Sequence, residues 1–97
     1  MMLQLKRAGL LKSQGLINGN WCKADNVETF PVTNPANGEV IAQVPNYGQA
    51  ETERAIAAAD QALPAWRSKT AKERAQILRR WYQLMIEHQD DLSRILT

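Results

Sequence analysis

The spacing of apolar residues changes once along this chain, at Gly48, and that change restricts the fold more than any other feature. Before Gly48, apolar residues come in short paired or alternating runs cut by Asn, Gly and Pro, the pattern of strands joined by tight turns. After it they recur every three or four residues, the period of a helix with one apolar face. The order implies an α+β unit in which N-terminal β-hairpins are followed by two or three helices.

In the first half, Leu16-Ile17 and Trp21-Cys22 flank Asn18-Gly19-Asn20. Asn-Gly accepts positive φ cheaply, so two short antiparallel strands are predicted around it. Phe30 and Val32 alternate with Pro31 and Thr33 as a second extended run, and Asn34-Pro35-Ala36-Asn37-Gly38 supplies the residues for a reversal. Val40, Ile41, Ala42 and Val44 form the returning strand, closed by Pro45. Ahead of these hairpins, residues 1–24 carry Lys6, Arg7, Lys12 and Lys23 with no acid, while Leu3, Leu10 and Leu11 can share a helical face. A transit peptide has that look. With so few basic residues, a short helix over residues 1–14 that docks its leucines on the body of the protein is expected.

In the second half, Ile56, Ala59 and Leu63 mark one face of an alanine-rich helix from about Ala50 to Leu63. Pro64 is expected to end or kink it, leaving Ala65-Trp66-Arg67 as a turn. Thr70 with Glu73 three residues later is a capping box, so a second helix starts at Ala71. Ile77, Leu78, Trp81, Leu84 and Met85 should be its buried stripe. A third helix begins near Gln89, where Asp90 and Asp91 suit a first turn and Leu92, Ile95 and Leu96 give an apolar face. No Gly, Asn or Pro follows Leu96, which reads as the interruption of a longer sequence.

Composition narrows the function classes. With 97 residues, one modest core is the most to be expected. Twelve basic residues against 10 acidic ones give no support to a nucleic-acid or membrane partner. Cys22 is the only cysteine, so no internal disulfide forms and a reducing compartment is favoured. No run approaches the roughly 20 apolar residues of a membrane helix, and the first residues lack a secretory signal. A soluble, cytoplasmic protein is the expectation.

Candidate chemistry is sparse. Cys22 lies in a predicted hairpin strand without a base or helix start beside it, and Lys23 points to the opposite face. His88, with Glu87 and Asp90, offers too few ligands at the wrong spacing for zinc and reads as a helix-end residue. Asp90 and Asp91 point about 100° apart on a helix, which suits a solvated helix start better than an acid/base pair. Lys72, Arg74, Arg79 and Arg80, near Trp81 and Tyr82, invite a phosphate or single-strand reading. Glu73 and Glu87 dilute that patch, and an ordinary charged face with Trp81 in the core is favoured. The five glycines are scattered singly, so no dinucleotide or Walker loop exists. No catalytic, cofactor-binding or metal-binding residue is assigned.

One resemblance carries further than these patterns. Leu16-Ile17-Asn18-Gly19-Asn20-Trp21 and Val32-Thr33-Asn34-Pro35-Ala36-Asn37-Gly38-Glu39-Val40-Ile41 resemble the opening hairpin and Asn-Pro turn of aldehyde dehydrogenases. Ala57-Ala58-Ala59-Asp60-Gln61-Ala62-Leu63-Pro64-Ala65-Trp66-Arg67 is similar to that family's first long helix and its tryptophan. The run from Thr70 to Tyr82, followed by Met85 to Leu92, looks like the bacterial succinate-semialdehyde branch.

The resemblance implies that residues 1–97 are the N-terminal portion of a Rossmann-like cofactor domain, with residues 1–14 a helix, 15–45 hairpins and 49–97 helices. Its hairpins would pack beside the cofactor domain and its helices cover it. The full-length family subunit oxidises an aldehyde on a cysteine with NAD or NADP as hydride acceptor. For this branch the reaction is succinate semialdehyde to succinate. The family's cysteine, glutamate, asparagine and lysine all fall beyond residue 97, as do the catalytic and oligomerisation domains, and Cys22 matches a strand position. The chain alone is therefore expected to be inactive and to bind no cofactor. Subunits of the same family are its expected partners, and a non-catalytic module that docks on full-length subunits is the alternative reading.

Overall fold

The computed structural model describes residues 4–96. Two hairpins come first. Strands β1 (Gly15–Ile17) and β2 (Asn20–Cys22) pair antiparallel, with Leu16 opposite Trp21. Asn18 and Gly19 both take positive φ, 50° and 77°, as a two-residue turn matched to strand twist requires. Strands β3 (Thr29–Thr33) and β4 (Val40–Pro45) pair antiparallel with an irregularity at Val32/Thr33. Asn34 builds the reversal between them. Its side-chain oxygen accepts the Ala36 N–H at 2.9 Å, its carbonyl accepts the Gly38 N–H at 2.7 Å, and Gly38 turns at φ 76°. Each hairpin is a separate two-stranded sheet.

Three helices follow, α1 (Gln49–Ser68), α2 (Ala71–Glu87) and α3 (Gln89–Leu96). The Thr70 hydroxyl accepts the Glu73 N–H at 3.1 Å, which starts α2 at Ala71 as the capping residues predict. Two boundaries depart from expectation. Helix α1 runs through Pro64 to Ser68, so Ala65-Trp66-Arg67 is helical. Pro64 has no N–H for the Asp60 carbonyl, but Asp60 is exposed and that carbonyl can turn to water, while the surrounding alanines favour helix. The expected N-terminal helix is also replaced. Among the described residues of that segment, only Ala8–Leu10 forms a 3-10 turn. The N–H groups of Lys6 and Arg7 go to the Asp91 carboxylate, so they are committed to a distant acceptor instead of a local helix. Leu3 lies outside the described residues.

The core is smaller than the sequence suggests. Among the described residues the apolar side chain that reaches full burial is Ala24. Ile77, Leu78, Trp81, Leu84 and Met85, the stripe predicted to be buried, all stand exposed, with Trp81 at 61%. Ile56 and Leu63 on α1 are exposed too. The accessible surface is 7866 Å². A compact monomer of 10.9 kDa has roughly 5,600 Å². The radius of gyration, 16.5 Å, likewise exceeds the about 13 Å of a compact domain of this length. The physical reason is that the elements lie side by side with the apolar faces of α1 and α2 unopposed by any other element.

Candidate functional site

Two polar junctions and one bare helix face are the features with the capacity to do anything beyond fold. The first junction gathers around the end of β2. The Tyr47 hydroxyl accepts the Gly15 N–H at 2.8 Å and donates to the Cys22 carbonyl, bridging both ends of the first hairpin. A Cβ at Gly15 would lie 2.7 Å from that oxygen, so the glycine leaves room for the ring. Beside it, Arg54 grips Asp25 with two hydrogen bonds, at 2.7 and 3.0 Å. These bonds hold the Asp25 carboxyl below its ordinary range. Glu51, buried in the first turn of α1, accepts the Asp25 N–H at 3.2 Å.

At the second junction, Asp91 is buried at 2% exposure. Its two oxygens accept the backbone N–H groups of Lys6 at 2.8 Å and Arg7 at 2.9 Å. Lys6 Nζ pairs with Asp90 at 3.1 Å, and Arg94 donates to the Gln4 carbonyl at 2.9 Å. The N-terminal segment is thus stitched onto α3. The Lys6 N–H bond, with that of Arg7 and the nearby Arg94, keeps the Asp91 carboxyl below its usual range, so it stays ionised and is a poor proton carrier near neutrality.

The residues singled out by sequence are not brought together. Cys22 is half-buried on β2, its thiol donating to the Asn20 carbonyl at 3.3 Å. His88 caps the end of α2, its N–H donating to the Leu84 carbonyl at 3.1 Å, and it shares a small cleft with Lys6, Arg7, Glu87, Asp90 and Asp91. Among the described residues no three His, Cys, Asp or Glu side chains are placed to hold a metal. On α2, at 100° per residue, Arg74 falls on the Trp81 side and Lys72, Arg79 and Arg80 elsewhere, so the basic residues form no single patch. Trp81, expected in the core, is solvent-facing. Sequence reading missed Tyr47 altogether and took Asp91 for a solvated helix start. A bridging tyrosine has no local signature, and the Asp91 acceptors are used by residues more than 80 positions away.

Nor do these residues fit a dinucleotide. A pyrophosphate needs a helix start with free N–H groups and a glycine-rich approach. All three helices open with acids, namely Glu51, Glu73, and Asp90 with Asp91. Among the described residues, no helix is long and apolar enough to cross a membrane.

Comparison with known proteins places this arrangement. Residues 21–97 match the model of the aldehyde dehydrogenase family. The chain is 63% identical to a glutarate-semialdehyde dehydrogenase of Pseudomonas putida, over 98% of its own length and 20% of the relative's. It is 56% identical to an NADP(+) succinate-semialdehyde dehydrogenase of Escherichia coli, with the same two coverages. Its backbone superposes on the crystal structure of a succinate-semialdehyde dehydrogenase from Burkholderia pseudomallei with a TM-score of 0.93 at 54% identity, covering 96% of this chain and 19% of that one. The chain spans about a fifth of the length of the relatives it matches.

Proposed function

The chain belongs to the aldehyde dehydrogenase family, and on that premise we propose that it forms the N-terminal part of an NAD(P)-dependent semialdehyde dehydrogenase subunit of the cytoplasm. The observation that supports this reading is the match to semialdehyde enzymes along nearly the whole chain, in sequence and in backbone. The parent reaction is oxidation of succinate semialdehyde to succinate, with hydride passing to the nicotinamide. Glutarate semialdehyde, one methylene longer, is the second substrate reading, favoured by the higher identity to the Pseudomonas putida enzyme. Both substrates pair an aldehyde with a terminal carboxylate.

By itself the chain is proposed to be inactive. Its thiol is bonded to a neighbouring carbonyl, its buried carboxylates serve backbone N–H groups, and no base is arranged near Cys22 among the described residues. The test is to incubate the purified chain with each semialdehyde and NAD or NADP and follow formation of the reduced nicotinamide. Turnover above the uncatalysed rate would overturn the inactivity reading. Reading the coding DNA past the codon for Thr97 tests the parent assignment, which falls if no frame continues into a dehydrogenase.

The large exposed surface favours the alternative reading, an interaction module for subunits of the same family, and pull-down with such subunits tests it.

A further inference from the structure

Helix α2 has no fully buried residue along its 17 residues. At 100° per residue, its apolar side chains run from Leu84 through Trp81 to Ile86 over roughly 200° of the circumference. An ordinary surface helix shows an apolar stripe of about 100°. The exposed values are high across this arc, 50% at Leu78, 61% at Trp81 and 55% at Ile86. A flat contact covers one stripe; an arc twice as wide needs a body that closes around the helix from both sides.

Two further observations bear on what that body is. The chain exposes roughly 2,300 Å² more than a compact protein of its mass, against about 800 Å² contributed by each partner of a standard interface. That is the scale of a permanent interface. Arg74 Nε, seven residues before Trp81 and on the same side of the helix, is enclosed without an acceptor within the described chain. Buried donors are normally paired, so a partner surface must supply that acceptor.

Resting on the function proposed above, we infer that this face docks in trans into an aldehyde dehydrogenase subunit whose own equivalent segment is missing, with α2 taken up as an interior helix. A full-length subunit already carries a segment 56% or more identical in that position, so it offers no vacancy. A second copy of this chain presents another convex helix and leaves much of the arc open.

The test co-expresses the tagged chain with the Escherichia coli succinate-semialdehyde dehydrogenase lacking the stretch equivalent to residues 1–97, and separately with the full-length enzyme. Equimolar co-purification with the shortened subunit is expected, with at least about tenfold less of the full-length one retained. Trp81→Asp should weaken retention about 30-fold or more, as loss of a central aromatic anchor does. The milder Leu78→Ala should weaken it measurably, while Gln83→Glu on the polar side should leave it unchanged. Failure to retain the shortened subunit, equal retention of the full-length enzyme, or a discrete homodimer that excludes the subunit would each overturn the inference. Retention without dehydrogenase activity upholds the docking and sinks the reading that this segment completes a working enzyme.

Discussion

The Asp91 carboxylate receives the backbone N–H of Lys6 at 2.8 Å across 85 residues of chain. With the Arg7 N–H on its other oxygen, it is the principal tie between the N-terminal segment and the helices.

The tie has a defined pH dependence. Folding lowers the Asp91 pKa, so its contribution is complete above the ordinary value of 3.8 and disappears as pH falls through the lower folded value. The Lys6 and Arg7 amide resonances should therefore titrate together with a midpoint below 3.8. In Asp91→Asn the same resonances should be flat with pH and shifted toward random-coil positions. A midpoint at or above the ordinary value refutes the account.

Tyr47 and Gly15 should behave as one unit. Tyr47→Phe leaves the Gly15 N–H and the Cys22 carbonyl without their shared partner, at a cost of about 1–2 kcal/mol. Gly15→Ala pushes the same hydroxyl aside. Urea unfolding of the double variant should show little more loss than the worse single one, because both remove one interaction. Additive losses would argue against the bridge.

Val27 is held at φ 53°, a left-handed conformation costly for a β-branched residue. Its side chain is 71% exposed and gives little packing in return. Val27→Asn should raise stability by about 1 kcal/mol, measured by the urea midpoint. Loss of stability instead would mean that the valine makes contacts that outweigh the strain.

Pro64 interrupts the hydrogen-bond ladder of a helix that nevertheless continues to Ser68. Pro64→Ala restores the N–H for the Asp60 carbonyl and should stabilise α1 by up to about 3 kcal/mol, seen as increased helicity by circular dichroism. Unchanged helicity would place the end of α1 before Pro64 in solution.

Much of this architecture was legible from local chemistry. Asn18-Gly19 and the Asn34 to Gly38 turn announce their hairpins because positive φ and side-chain acceptance of N–H groups are properties of those residues alone. Thr70 and Glu73 announce α2 for the same reason. The departures arise where a distant part of the molecule decides. Lys6 and Arg7 are drawn out of a helix by Asp91, and Trp81 is apolar at helical spacing whether or not anything covers it. Periodicity reports which face of a helix seeks burial. It does not report whether the burying surface lies within these 97 residues. The candidate site followed the same division: Cys22 was rightly placed on its strand, while the anchoring roles of Tyr47 and Asp91 depend on long-range geometry.

The hairpins close between neighbouring strands, so each can form as soon as its own residues leave the ribosome. The Asp91 tie cannot. At about 5–20 residues per second, Lys6 waits roughly 4–17 s for its acceptor to be synthesised. During translation the leading segment is therefore a loose end, open to chaperones or to N-terminal processing, and it is fastened last, when α3 appears.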